Sequence, residues 1–234
     1  MSSWQQKRFW EKAEAVACDG GFAVELDGRR VRTPAKTLLI VPGLEMAEAT
    51  AAEWAAQGEK IDPLEMPVTR SVNAAIDKVR VQHSEVAEML AAYGDSDLLC
   101  YRADHPDALV ARQAEQWDPA LAWAETEFTA RLRVHAGVLH HPQDPEALAL
   151  LSVAVHRMTE FQLAGFHDLV SLSGSLVLGF ASARNWRAPE EIWDLSRLDE
   201  VWQEEHWGVD DESKAQARIK RSAFLHAKRF FDLA

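Results

Sequence analysis

The chain has 234 residues, 47% of them hydrophobic and 26% charged, a soluble globular composition with material for one large or two small cores. Its 25 basic and 37 acidic side chains leave a net charge of −12. That balance argues against nucleic acid, whose backbone needs a basic stripe, and against an anionic membrane surface. A basic or amphipathic protein partner is compatible with it.

In chain order, Met1 to Lys12 lacks the apolar run of a signal peptide and is too short for an Arg-rich transit peptide, so a cytoplasmic protein is expected. Residues 1 to 17 carry Trp4, Phe9, Trp10, Ala13 and Val16 in a pattern that is either loosely helical or extended. Asp19-Gly20-Gly21 marks a turn. Phe22, Val24 and Leu26 alternate as in a half-buried strand. Asp27-Gly28 then signals a tight hairpin, because that turn needs positive φ and glycine supplies it without strain. Arg29 to Thr33 and Thr37 to Val41, each ended by proline, complete a small β meander. An Ala-rich helix is expected from Leu44 to Gln57, with Gly58 as its cap. A proline-stiffened connection follows, and Thr69 or Ser71 could cap the next helix, over Val72, Ala75, Ile76 and Val79.

A domain boundary is placed near residue 80, giving a β-containing domain over 1–80 and a helical domain over 81–234. The fold class is therefore α+β. In the second part, helices are expected from Ser84 to Tyr93, Pro106 to Trp117, Pro119 to Arg131, Glu146 to Phe161 and Leu163 to Ala183. Leu98 to Tyr101 is ambiguous. The uncharged run Leu169 to Ala183 spans 15 residues, short of the roughly 20 that cross a bilayer, and reads as a buried helix. Gly165, Gly174 and Gly179 would permit close helix approach. A last helix carries Ile219, Phe224, Leu225 and Phe230 as its apolar members.

The stretch L-S-R-L-D-E-V-W-Q-E-E-H-W-G, Leu195 to Gly208, is read as part of one helix that starts near Pro189. At about 100° per residue, Ile192, Leu195, Leu198, Trp202 and His206 form a core stripe. Trp193, Arg197, Glu200, Glu204 and Trp207 fall on another side, with Trp193, Glu200 and Trp207 seven apart along one line. Either a second packed neighbour or a surface that grips another protein accounts for such a line. Tryptophans beside charges are the residue types that carry interface energy. A carboxylate between two tryptophans would be costly to desolvate unless the partner brings a cation.

Signals for chemistry are weak. No P-loop, dinucleotide glycine motif, H-E-x-x-H, C-x-x-C or G-x-S-x-G occurs. Cys18 and Cys100 are distant in sequence and read as reduced thiols. His140, His141 and Asp144 could ligate a metal on paper, but adjacent histidines in a Pro-bounded loop read better as solvent-exposed. His167-Asp168 reads as a polar step at a helix end. No cofactor and no metal is expected.

Several strings nevertheless occur together and in order. They are K-R-F-W at 7 to 10, L-D-G-R-R-V-R-T-P at 26 to 34, A-A-E-W-A-A-Q-G at 51 to 58 and D-P-L-E-M-P-V-T-R at 62 to 70. D-L-L-C-Y-R at 97 to 102, Q-A-E-Q-W-D-P at 113 to 119, S-G-S-L-V-L at 173 to 178 and S-R-L-D-E-V-W-Q-E-E-H-W-G at 196 to 208 continue the series. Together they resemble the mitochondrial-type ATP synthase assembly chaperones that bind the unassembled α subunit of the F(1) sector. The match covers nearly the whole chain and looks like a bacterial member. The resemblance implies a chaperone and not an enzyme, cytoplasmic here and in the mitochondrial matrix for eukaryotic relatives. Such a protein shields the free α subunit until the β subunit replaces it, with no nucleic acid, no membrane insertion and a monomeric state expected. By position it marks Trp54, in the E-W string, and the acids Glu200, Glu204 and Glu205. The expected partner-binding set is thus Trp193, Arg197, Glu200, Glu204, Glu205, Trp207 and Trp54. The rival reading is an enzyme with an inter-domain site built on His167, Asp168 or the glutamates.

Overall fold

The structure, a computed structural model, describes residues 7–234, so Trp4 lies outside the described residues. The chain forms two compact units: residues up to His83 with Thr159–Ala164 and Arg229–Ala234, and Ser84–Met158 with Gly165–Lys228. The small N-terminal β region and the mostly helical remainder make the fold α+β.

In the first unit, β1 (Ala13–Cys18) pairs antiparallel with the whole of β2 (Gly21–Leu26), Ala13 opposite Leu26 and Cys18 opposite Gly21. The stretch left open between helix and strand is thus a strand from Ala13 on, where alanine at alternate positions gave little contrast to read. The other edge of β2 pairs first with β3 (Arg29–Arg30) and then with β4 (Ile40–Val41). Asp27 and Gly28 both have positive φ, 48° and 77°, the geometry that the tight β2–β3 turn requires. Asp27 also accepts hydrogen bonds from the amides of Glu11 and Lys12, which hold its carboxyl below the ordinary range. Val24, Leu26, Val31, Leu39 and Val41 pack with Met46, Ala47 and Ala51 of helix α1 (Leu44–Ala55) into the core of this unit. Val68 and Val72 of α2 (Pro67–Ala74), Ile76, Phe161 and Phe230 complete it.

Helix α1 ends at Ala56 in ordinary right-handed geometry, so Gly58 is not its cap. The cap of α2 is neither Thr69 nor Ser71. Glu53 reaches from α1 to accept the amides of Val68 and Thr69 and the Thr69 hydroxyl, all at 2.7 Å. A carboxylate at a helix N-terminus satisfies orphan donors and opposes the dipole. Glu53→Ala is therefore expected to lower stability by about 1–3 kcal/mol, read as an earlier urea midpoint, with Glu53→Gln between the two.

The second unit is organised by a buried carboxylate. Asp97 is fully buried and accepts from the amides of Leu99 and Val177 and from the Ser175 hydroxyl. It thereby anchors the 3-10 turn Leu98–Cys100 and the start of helix α7 (Leu176–Ala183). The helix expected over Leu163 to Ala183 is consequently two, α6 (Glu160–Ser173) and α7. Gly174, at φ 69°, turns the chain, and Ser175 caps α7 by accepting from the Leu178 amide. Where Gly179 faces Val170, a Cβ would stand 2.6 Å from the Val170 Cγ2 atom. Gly179→Ala should destabilise by about 1–3 kcal/mol despite alanine's better helix propensity, as a thermal melt would show.

The two helices expected at 106–131 are, conversely, one: α4 (Asp107–Phe128) runs through Pro119. Trp117, Ala120 and Ala124 are buried on both sides of the proline, so tertiary packing outweighs the lost backbone bond. Leu98–Cys100 leads into β5 (Tyr101–Arg102), which pairs parallel with β6 (His135–Ala136). The remaining α-helices are α3 (His83–Ala91), α5 (Pro145–His156), α8 (Pro189–Ser196), α9 (Leu198–Trp207) and α10 (Asp211–Asp232).

Candidate functional site

The helix expected to run unbroken from Pro189 to Gly208 breaks at Arg197, whose φ of −102° and ψ of 7° leave the helical region. Two side chains donate into the break. The Trp117 indole donates to the Leu195 carbonyl at 2.8 Å, and the Ser196 hydroxyl donates to the Trp193 carbonyl at 2.6 Å. In an unbroken helix those carbonyls would take the amides of Asp199 and Arg197. The seven-residue line is therefore bent. Trp193 is 4% exposed and packs on Phe224 of α10 at 5.7 Å between ring centroids, whereas Trp207 is 79% exposed. Of the expected set Trp193 is thus largely buried, and it meets the surface only at the edge of a groove. The core stripe likewise stops early: Ile192, Leu195 and Leu198 are buried, Trp202 is half-buried and His206 exposed.

Arg197 ties the remaining acids together. Its guanidinium donates to Glu200 at 3.1 Å and to Glu204 at 3.0 Å. Beside this pair lies an open groove of about 420 Å³ between α9 and α10, lined by Glu200, Glu204, Trp207, Gly208, Gln216 and Lys220, among others. Across the same ion pair a second groove meets Trp193, Val201, Lys214 and Arg218. Asp210 starts α10 by accepting from the Ser213 amide and hydroxyl, which pull its carboxyl below the ordinary range.

Glu205 points elsewhere. It forms a two-pronged pair with Arg112 of α4, at 2.6 and 3.1 Å. That guanidinium holds the Glu205 carboxyl below its ordinary range, and the carboxylate raises Arg112 in turn. Arg112 also lies 5.8 Å from the Trp202 ring centre, and Trp202 stacks on His206. Gln113, buried on α4, donates to Asp199 at 2.7 Å and accepts the Ala103 amide at 2.8 Å. Arg112 gave no signal in the sequence. Gln113 stood in a quoted string without a role.

Trp54 is in the first unit, half-buried on α1, edge-on to Trp10 at 5.2 Å, with its carbonyl accepting the Trp10 indole. The other sequence candidates serve structure. His140 pairs with Asp95 and Tyr101, His141 stacks on His135, and Asp144 caps α5, so these three residues do not converge. Among the described residues no group of three His, Cys, Asp or Glu could hold a metal ion. His167 and Asp168 are paired at 2.8 Å, and the carboxylate raises the imidazole's affinity for a proton. Both cysteines are free thiols, and burial pushes the Cys100 thiol up. Among the described residues no helix is long and apolar enough to cross a membrane.

The fold defines a class. The family described as ATP12 chaperone protein matches residues 7–125. A solved structure of Atp12 from Paracoccus denitrificans superposes at a TM-score of 0.96, with 47% identity over 99% of both chains, and a point mutant of that protein matches equally well. A chaperone candidate from Agrobacterium tumefaciens matches at 0.92, with 40% identity over 97% of this chain and 85% of its own. The mitochondrial protein atp12 of Schizosaccharomyces pombe is 25% identical over 214 residues, covering 86% of this chain and 74% of its own. The chain belongs to the ATP12 chaperone family, the ATP synthase assembly factors to which its sequence strings pointed.

Proposed function

We propose that this chain binds the unassembled α subunit of the F(1) sector and shields its assembly interface until the β subunit replaces it, in the cytoplasm of a bacterium and without catalytic turnover. Trp207 carries the reading. A tryptophan 79% exposed at the lip of a groove, beside Glu200 and Glu204, is an anchor awaiting a partner. A free ring subunit exposes apolar interface that aggregates unless covered. The two carboxylates, half-open to water and already sharing one guanidinium, suit a partner surface that brings a cation. Release requires that the β subunit bind more tightly than the chaperone does.

The test dilutes denatured α subunit from the same organism with and without an equal molar amount of this chain, followed by light scattering. Suppressed scattering and a one-to-one complex on gel filtration, dissolved by added β subunit, are expected. Unchanged scattering with no complex would overturn the reading.

A further inference from the structure

Helix α9 is held unlike its neighbours. Of its ten residues only Leu198 is buried, whereas α8 buries Ile192, Trp193, Leu195 and Ser196, and α7 is buried throughout. Both of its ends are breaks in the chain. Arg197 leaves helical geometry at one, and Gly208 has φ 84° and ψ 170° at the other. What fastens it is polar and lateral. The Arg112–Glu205 fork and the Gln113–Asp199 hydrogen bond both run to α4. The Arg112 side chain is 27% exposed and that of Glu205 48%, so water competes for the fork. By contrast, the Arg197 contacts with Glu200 and Glu204 run between the hinge residue and the helix itself, and they travel with it.

We infer that α9 is a strap that opens from α4 as one unit about Arg197 and Gly208, with Arg112 and Gln113 as its latch. With one fully buried side chain, Leu198, and two half-buried apolar ones, Val201 and Trp202, α9 gives up less apolar burial when it lifts than α7 or α8 would, so the latch weighs more in its open population. Opening turns Trp202, the Glu205 carboxylate and the Arg112 and Gln113 side chains outward, which enlarges the surface offered beside Trp207. The value of that surface to a client rests on the proposed chaperone reading, whereas the opening itself does not and is measured without a client.

The experiment is residue-resolved hydrogen exchange on the full chain alone, compared with Arg112→Ala, Glu205→Ala and the double variant. Val201 to Trp207 should share one protection level, at least about ten-fold below that of the α8 amides, since one opening exposes them all. Each single variant should lower that level by about three- to ten-fold, and the double variant no further, because both remove the same bond. Protection in α7 should fall by no more than that same three- to ten-fold, and the urea midpoint correspondingly little, because the bond is absent from the open and the unfolded states alike, whereas a residue that supports the fold without α9 would cost α7 more than α9. Protection in α9 equal to that in α8 would overturn the inference. So would protection that grades inward from Trp207 as in fraying, or single variants without effect.

Discussion

Replacing Glu200 by lysine is expected to abolish protection of the α subunit while the chain stays folded. Glu200 is on the outer face of α9, its side chain 50% exposed, and its one ion pair is the 3.1 Å contact with Arg197. An exposed pair of this kind is worth about 0–1 kcal/mol, and Arg197 keeps Glu204 as a partner at 3.0 Å. A loss of that size moves a melting temperature by roughly 2–4 °C in a chain of this length. The effect on a partner is much larger. In the proposed docking mode the reversal sets a cation against the partner's cation, and like charges brought together across an interface cost several kcal/mol. Trp207→Ala reaches the same surface by a different route. Its ring is almost wholly in water in the free chain, so truncation should leave stability alone, while loss of an interface anchor weakens binding by at least about 2 kcal/mol, or about 30-fold in Kd. Scattering assays with both variants, beside thermal melts, check the pair of expectations. Normal protection by Glu200→Lys would remove the docking role from this face, and an unfolded variant would mean that Glu200 supports structure.

Asp97→Ala should be the most destabilising single change considered, at about 2–5 kcal/mol near neutral pH. It strands the Leu99 and Val177 amides and the Ser175 hydroxyl in a fully buried place, where each unpaired donor costs about 1–3 kcal/mol. Removal of a buried charge offsets part of that. The offset depends on pH. Burial raises the Asp97 pKa from 3.8 to about 6, against the opposing pull of its hydrogen bonds. The folded protein therefore holds this proton more tightly than the unfolded chain does. The contribution of Asp97 to stability is full below about pH 4 and is lost as pH rises toward 6, by up to about 3 kcal/mol. Urea titrations of both proteins across pH 4–7 should show the gap between them widest at the acid end. A gap that widens instead toward pH 7 would mean that the folded state prefers the charged carboxylate.

Much of this molecule was legible in the linear chain because the signals were local. Asp27-Gly28 specifies its turn through the φ values that the two residues tolerate, and alternating Val24 and Leu26 specify a strand through the two-residue period. The Ala-rich stretch from Leu44 specifies a helix. The order of eight strings carried the family, which no composition could have done. The pattern read from Pro189 to Gly208 likewise singled out the acids and tryptophans of the stretch.

Its misreadings share one cause. Periodicity assumes that a helix continues until a local residue stops it, and here distant side chains decide. The indole of Trp117, 78 positions before Leu195 in the chain, takes the carbonyl that would have continued α8 into α9. On either side of that break Trp193 is buried and Trp207 stands in water. Asp97 splits the run Leu163 to Ala183 from across the unit, and burial of Trp117, Ala120 and Ala124 carries α4 through a proline that should have ended it. Glu53, read only as part of an E-W string, caps a helix fourteen residues further on. By itself the sequence determined the β2–β4 meander and most of the helical segments, which family they form and which residues are candidates for the surface. Only the tertiary structure decided where the helices break and which tryptophan faces water. A backbone carbonyl accepts whichever donor packing brings to it, and the donor's position in the chain is not written beside the acceptor.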